Sequence, residues 1–228
     1  MKKNIKIINP MKRFIYTILV LFVISCSENN NKKNEYNEQV STKKETNFDI
    51  KDKNFEELFY EIKPEDFNEN VFSLFKKAAV LTSGNESDFN SMTIGWGGWG
   101  QHFGNPATWC YLRANRYTLE YIKKYKQYTI TFFDDCYHDQ IMHFGNSSGR
   151  DTDKMGTHEL HSVFTPSNNA TYKEANIIIE CTLMEISTVN PEDFYLDANR
   201  NFIVKAYEEA GDYHKIVFGQ ITNIWIKK

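Results

Sequence analysis

The sequence lacks the excess of basic residues that nucleic-acid-binding proteins carry. Its 228 residues include 27 Lys and Arg against 30 Asp and Glu, which gives a formal net charge of −3. Binding a phosphate backbone needs a positively charged patch or stripe, so this composition argues against a nucleic-acid partner. The content of 41% hydrophobic and 25% charged residues is ordinary for a globular protein.

The N-terminal region has no apolar run long enough to span a bilayer as a permanent helix. The run Phe14–Ile24 follows the basic residues Lys12 and Arg13 and leads into Val23-Ile-Ser-Cys26, which resembles a bacterial lipobox. We expect residues 1–26 to be a lipoprotein signal peptide that is cleaved before Cys26, whose thiol is then acylated. An uncleaved anchor and a plain signal peptide are the alternatives, and Met11 is an alternative start.

Cysteine is scarce in the rest of the chain. Only Cys110, Cys136 and Cys181 remain after Cys26, and an odd number cannot form a complete disulfide framework, although one pair could bridge outside the cytoplasm. Cys110 and Cys181 fall within predicted strands, so we expect them to be small core residues.

Residues 27–53 have almost no apolar side chains. They are rich in Asn, Lys, Glu, Ser and Thr, and such a segment cannot bury enough surface to fold. We expect a flexible polar tether whose ends lie on the order of 30 Å apart. Residues 54–228 are enough for one domain with a real core. The predicted location is the bacterial cell envelope, lipid-anchored and extracytoplasmic, facing the periplasm or the surface.

Strand patterns dominate this body. An aromatic content of 15%, with 17 Phe and 13 Tyr, favours strands over a helical bundle. A Gly-rich loop is expected from Trp96 to Asn105, and Phe194 and Tyr195 are expected to dock onto the body. The apolar spacing predicts strands at 78–83, 90–96, 108–113, 128–133, 177–188 and 214–225, and short helices at 55–62, 118–126, 136–144 and 152–160.

The sequence shows no constellation typical of acid–base or nucleophilic catalysis, so no catalytic residue is assigned. His158 and His161 lie three residues apart on one predicted helical face, but no third ligand is evident and no metal is predicted. His214, just before the last strand, could lie near a ligand or a dimer contact, or could simply pack.

Three separated polar segments contain the candidate site. The first, Asn90–Trp99, begins with amide and hydroxyl side chains and runs into the glycines Gly95, Gly97 and Gly98, where backbone can approach a flat ligand closely. The second, Arg113–Thr118, places two arginines ahead of a helix start, which suits an anion. The third, Ser148–Lys154, is a Ser-Gly loop with two cations. Together they predict a cradle for a phosphorylated, planar molecule. The candidate binding residues are Asn90, Ser91, Met92, Thr93, Arg113, Asn115, Arg116, Thr118, Ser148, Gly149, Arg150 and Lys154.

Each segment also has a simpler interpretation. The polar side chains of the first could pair with a neighbouring strand, and the two arginines could be a solvated surface pair. Thr118 could cap the helix or contact a phosphate. Asp151 or Asp153 could pair with Arg150 or cap a helix, and we regard Asp151 as structural.

In this order the three segments resemble the flavin reductase-like family of FMN-binding split β-barrels, relatives of the pyridoxamine phosphate oxidase fold. That family carries an Asn-Ser/Thr-Met-Thr-Ile-Ser/Gly-Trp strand, an Arg-x-x-Arg-Tyr-Thr segment and a Ser-Gly-Arg-Asp-x-Asp-Lys loop. The resemblance covers roughly Val71 to the C-terminus. It implies a mainly β fold, an FMN-binding split β-barrel with a few short peripheral helices.

The resemblance also implies noncovalent FMN, electron or hydride transfer through it, and a homodimer with flavin near the subunit interface. No threonine-flavinylation motif is evident. Because soluble NAD(P)H is scarce outside the cytoplasm, the electron donor stays open. A membrane or protein electron carrier is one alternative, and a module that has kept the fold and lost the activity is another.

A second class of function is a surface-tethered binding protein without redox activity. Its aromatic cleft would bind a glycan or another planar ligand and would be formed by Trp96, Trp99, Phe103 and Trp109. Core packing is the commoner role of such side chains.

Overall fold

The computed structural model describes residues 52–150, 159–207 and 211–228. The expected signal peptide with Cys26, nearly all of the tether and Lys154 lie outside the described residues. So does most of the helix predicted at 152–160, whose last two residues are described and are not helical. Within the described ranges, no helix is long and apolar enough to cross a membrane.

Strands form most of the described chain, which confirms the mainly β fold with a few short helices. Single 3₁₀ turns occupy Pro64–Asp66, Asp135–Tyr137 and Pro191–Asp193. The strands are β1 Phe59–Ile62, β2 Ala79–Asn85, β3 Asp88–Ile94, β4 Gly97–His102, β5 Asn105–Leu112, β6 Gln127–Phe132, β7 Ser162–Phe164, β8 Ala170–Tyr172, β9 Ile177–Thr188 and β10 Lys215–Lys227. The helices are α1 Phe55–Leu58, α2 Val71–Lys76, α3 Tyr117–Tyr125, α4 His138–Asn146 and α5 Asp197–Tyr207.

Eight of the strands form one antiparallel sheet in the order β3-β2-β6-β9-β10-β5-β4, and β1 pairs with β10 outside this path. The long strand β10 pairs with β9 along one edge. On its other edge, its first half pairs with β5 and its last residues pair with β1. The strands β7 and β8 form a separate hairpin. The strand β3 therefore lies at one edge of this order and β5 lies second from the other edge, so curvature of the sheet must bring their ends together.

The sheet buries apolar side chains on both faces. In β2, Val80 and Leu81 belong to different core clusters, and Ile178 and Ile179 do the same in β9. Successive side chains of a strand point to opposite faces, so a strand covered on both sides is a continuous apolar run. This explains the Ile-Ile-Ile sequence at the start of β9. Cys110 and Cys181 are buried and free of disulfides, as expected of core residues.

Three local predictions were wrong. The helix expected from Phe55 to Ile62 ends at Leu58, because residues from Phe59 onward pair with β10 as β1. The Gly-rich segment after Trp96 is a strand, β4, rather than a loop, since it pairs along β5. Tyr195 is 97% exposed instead of docked.

The glycines of β4 make room for an indole. A Cβ added at Gly98 would lie 2.7 Å from Trp109 Cζ2, and one at Gly100 would lie 3.6 Å from Trp109 Cζ3. A large ring on β5 thus covers two side-chain-free positions of its neighbour, a cross-strand arrangement that stabilises an otherwise weak glycine strand.

Gly219 in β10 is tightly enclosed. A Cβ there would lie 2.3 Å from the hydroxyl oxygen of Tyr128 and 2.9 Å from Cys181 Cβ. The Tyr128 hydroxyl is also 3.0 Å from Thr108 Oγ1. All three neighbours are fully buried or nearly so, so none can move away cheaply.

We therefore expect Gly219→Ala to lower the free energy of unfolding by about 1–3 kcal/mol, because an added methyl overpacks a dense core. Gly95→Ala is the control: nothing lies within 4 Å of its Cβ direction, so its change should stay within about 0.5 kcal/mol. Urea unfolding followed by tryptophan fluorescence measures both. Equal stability of the two variants would contradict the packing argument.

Candidate functional site

Neighbouring residues of β3 have different roles. Ser91 is fully buried, and its hydroxyl lies 2.7 Å from Thr82 Oγ1 and 2.6 Å from the Tyr172 hydroxyl. Its polar group is thus engaged within the core. The next residue, Met92, points to the opposite face and lines a cleft. The sequence alone could not distinguish these two positions, and the structure places only Met92 in the cleft.

Thr93 is also at the cleft, where helix α4 crosses β3. Its hydroxyl donates to the carbonyl of Ile141, and a Cβ at Gly145 would lie 3.1 Å from Thr93 Oγ1. The glycine in α4 lets the helix approach the strand closely. Thr93 is therefore fixed by the helix and lines the cleft with its remaining surface.

The cleft measures about 200 Å³ and lies beside the end of β3. A backbone bond from Tyr111 N–H to the Trp96 carbonyl, 3.3 Å long, ties the segment after β3 to β5. This bond brings the first predicted segment against the second, although their strands are far apart in the sheet order. The cleft is lined by Met92, Thr93, Ile94, Gly95, Trp96, Tyr111, Arg113, Arg116 and His214.

The cleft concentrates positive charge. Arg113 lies 3.3 Å from Asp212 Oδ1 and its guanidinium lies over the Tyr207 ring at 5.0 Å, while its buried Nε has no hydrogen-bond partner. Within the described ranges the Arg116 side chain makes no hydrogen bond or ion pair. The positive charge of Arg113 is paired with Asp212, whereas the charge of Arg116 has no partner among the described residues, and this favours an anionic ligand.

His214 shares this environment. Burial lowers its pKa, and the positive charges of Arg113 and Arg116 lower the pKa further. Its ring hydrogen-bonds through Nδ1 to the Tyr207 hydroxyl and packs against Trp96 at a centroid distance of 5.4 Å. A neutral imidazole at this place adds a polar wall without competing with the arginines for an anion.

The N-terminus of α3 lies at the same place. Arg116 is the N-cap residue and its side chain makes no capping bond, so the first N–H groups of the helix have no side-chain acceptor. Such a helix end attracts anions. Thr118 was expected to cap or to contact a phosphate. It is not the cap: it is the second residue of the helix, two positions after Arg116. Its side chain is buried, 1% exposed, and its Oγ1 accepts from Asn90 Nδ2 at 2.6 Å.

The third predicted segment reaches this junction. A Cβ at Gly149 would lie 2.3 Å from Asn90 Oδ1, so only glycine fits there. The guanidinium of Arg150 donates to the Asn115 carbonyl at 2.8 Å and pairs with Glu120. Ser148 Oγ accepts from the backbone N–H of Arg150 at 3.2 Å. The three segments therefore meet around Asn90 and the start of α3.

The described part of the third segment is largely engaged with the protein itself. Arg150 lies over the Tyr117 ring at 4.8 Å in addition to its bond to the Asn115 carbonyl. Asn115 enters the arrangement through this carbonyl, and its side chain is exposed. Lys154 lies outside the described residues, so its contribution stays a prediction.

The four aromatic residues of the alternative binding platform do not line one common cavity. Trp96 packs against His214 and Phe103 packs against His102. Trp99 and Trp109 line a different cavity. Among the described residues no cluster of three metal-ligand side chains is present; His158 lies outside them, and His161 Nδ1 bonds the buried Glu174 at 2.7 Å.

The family model of the flavin reductase-like domain matches residues 73–228, which is about two thirds of the chain and includes all three segments. The chain belongs to the flavin reductase-like family. None of the curated proteins matches the chain significantly.

Solved structures of this fold superimpose on the flavin reductase-like domain at low sequence identity. An FMN-binding protein from Thermus thermophilus is 18% identical, with a TM-score of 0.51 over 66% of this chain and 71% of its own. An FMN-binding domain of a flavin reductase-like enzyme from Shewanella baltica is 10% identical, with a TM-score of 0.51 over 74% and 76%. A protein with a split barrel domain from Shewanella frigidimarina is 15% identical, with a TM-score of 0.50 over 65% and 66%. At these identities the likeness establishes the split-barrel fold.

Sequence reasoning did not identify Tyr111, Tyr207 or Asp212, and it left His214 open between a ligand contact, a dimer contact and packing. Tyr111 and His214 line the cleft, and Asp212 and Tyr207 hold Arg113 and His214 in place. Nothing in the sequence of the loop before β10 indicates the distant arginines. Only the pairing of β10 with β5 brings this loop beside Arg113.

We expect the His214 pKa to be below the ordinary histidine value and Arg116→Met to raise it, because one of the two positive charges that disfavour protonation is removed. NMR titration of the histidine ring signals measures this. Lys123→Met, which removes an exposed cation from the outer part of α3, should leave the pKa unchanged.

The same shift predicts the sign of a stability effect. The folded state holds the His214 proton less tightly than the unfolded state does. The contribution of His214 to the free energy of unfolding is therefore fully present at pH values above the unfolded pKa. This contribution decreases as the pH falls through the unfolded pKa toward the folded pKa. An ordinary pKa for His214 in the unmodified protein would contradict the claim that burial and the two arginines disfavour its protonation.

Proposed function

We propose that this chain binds FMN noncovalently at the junction of β3 and α3 and serves as an oxidoreductase through it. The observation that carries the proposal is the unpaired Arg116 guanidinium at an uncapped helix N-terminus, directly beside the cleft. A helix end and a free guanidinium together suit a phosphate group. Family membership and the FMN-binding proteins that share the fold support the choice of FMN.

The residues present fit the parts of this cofactor. Arg116 and the first N–H groups of α3 suit the phosphate, and Lys154 is proposed to add a second cation. The open backbone at Gly95 and the exposed Trp96 ring suit the flat isoalloxazine. When bound, flavin supplies the electron or hydride chemistry itself, so the protein binds, orients and shields it.

A second copy of the chain would complete the site. The cleft of about 200 Å³ is below the range of roughly 300–1,000 Å³ typical of pockets that enclose a whole ligand. Trp96 at its rim is 52% exposed. We propose a homodimer in which the partner covers this open side, as the family resemblance implies. The donor that reduces the flavin is proposed to be a membrane or protein electron carrier.

Arg116→Met should weaken FMN binding about 10- to 100-fold, because it removes a charge-assisted contact to the phosphate. Riboflavin, which lacks the phosphate, should bind the variant and the unmodified protein equally. Flavin fluorescence titration measures both affinities. Lys123→Met, on the same helix, should change neither affinity.

Two results would count against the proposal. The first is an unmodified protein that binds neither flavin. The second is an Arg116→Met variant that loses riboflavin and FMN to the same extent, because this would mean that Arg116 supports the fold of the cleft and does not hold a phosphate.

We further propose that the chain is held in the cell envelope through lipid on Cys26. The basic residues, the short apolar run and the cysteine after a small residue support this in the sequence. Acylation would place the domain outside the cytoplasm on a tether of about 30 Å.

Cys26→Ser should abolish metabolic labelling by palmitate and release the protein from the membrane fraction. Cys136→Ser, a change of one half-buried cysteine in the body, should leave both unchanged. Continued labelling of Cys26→Ser would exclude this cysteine as the lipid attachment site.

A further inference from the structure

A second cavity lies between helix α2 and strand β4, and its volume is about 350 Å³. It is within the size range of small-molecule pockets. The helix supplies aliphatic and aromatic side chains to one wall and the glycines of β4 supply the other. Its lining residues are Val71, Phe72, Phe75, Lys76, Gly95, Gly97, Gly98, Trp99 and Trp109. We call this cavity the α2–β4 groove.

The groove is flat-walled and apolar. A Cβ at Gly97 would lie 2.8 Å from Phe75 Cζ, so the phenyl ring rests directly on strand backbone. Phe72 at the mouth of the groove is 84% exposed. Leaving a phenyl ring in water is unfavourable, so a ligand that covers it gains the free energy of apolar burial.

Among the described residues one charged side chain lines the groove, Lys76. The next residue, Lys77, pairs with Asp135 at 2.9 Å, whereas the Lys76 ammonium has no hydrogen bond or ion pair within the described ranges. A single free cation in an apolar cavity suits one carbonyl oxygen. It does not suit a dinucleotide, whose pyrophosphate needs several donors or cations.

The groove adjoins the cationic cleft. Gly95 lines both cavities, and its Cβ direction is open space. A ligand in the groove would therefore lie beside whatever occupies the cleft, with no side chain of Gly95 between them. An occupant that exchanges electrons with a flavin would make use of this adjacency.

We propose that the α2–β4 groove binds the flat, apolar ring of a quinone, with Lys76 facing one of its carbonyl oxygens. The role as an electron acceptor rests on the proposed FMN function. Reduction of a quinone to its hydroquinone takes two electrons and two protons. Reduced flavin carries both electrons, and the protons come from it and from solvent, so no further reactant is needed.

Binding can be tested without flavin. Trp99 and Trp109, two of the four tryptophans of the chain, line the groove, so a bound quinone should quench intrinsic fluorescence saturably. The probe is a soluble naphthoquinone titrated into FMN-free protein. Phe72→Ser should raise its Kd roughly tenfold by removing one ring face. Phe103→Ser is the matched control, since Phe103 is equally exposed at 87% but lies in the β4–β5 turn.

The role of Lys76 can be tested with the neighbouring Lys77 as the control. Lys76→Met should weaken naphthoquinone binding about threefold to tenfold, in line with loss of one charged hydrogen bond at a partly exposed site. Lys77→Met, which breaks a surface pair outside the groove, should not change the Kd.

The outcomes separate the two proposals. Saturable quenching that Phe72→Ser weakens and that persists with FMN bound supports the groove as a quinone site. Displacement of the quinone by FMN would assign the groove to the flavin ring and overturn the proposal. Absence of saturable quenching in protein that still binds FMN would also overturn it, and a Phe72→Ser effect on dimerisation alone would assign the surface to a second copy. Quinone binding in protein that never binds FMN would retain the site and reject the electron-transfer role.

Discussion

The contact between Asn90 and the first turn of α3 is the one on which the site depends. The Asn90 side chain donates to Thr118 Oγ1 and at the same time fills the space next to Gly149. Both partners are buried, so the amide cannot exchange this bond for water without a cost. One buried side chain thus fixes the relative position of a strand, a helix start and a loop that are 28 or more residues apart in the chain.

The convergence of the three segments was predictable, but the function of the individual residues was not. Ser91 and Met92 both looked like cleft residues, yet the strand alternates and Ser91 bonds Thr82 and Tyr172 in the core. A motif gives the composition of a strand, whereas its register decides which face is buried. Likewise, Thr118 looked like a helix cap, but the cap lies two residues earlier at Arg116, and Thr118 is the partner of Asn90.

Larger features were predicted best where the pattern was long. The strand Ile177–Thr188 was predicted with its observed bounds, because an apolar run of this length with β-branched residues has few other interpretations. The glycine strand β4 was missed because glycine usually weakens strands. Its stability comes from Trp109 on the neighbouring strand, and such a cross-strand contact is not visible within the segment itself.

The cleft combines two arginines with a glycine, Gly95, that leaves open space beside them. Burial lowers the pKa of His214, and the positive charges of Arg113 and Arg116 lower it further. Two guanidiniums beside a neutral imidazole favour an anionic ligand in the cleft. Gly95 has a negative φ and open space around its Cβ direction, so neither backbone strain nor packing requires glycine there. What glycine provides there is open space beside the one residue that lines both the cationic cleft and the apolar groove, space that a side chain would occupy.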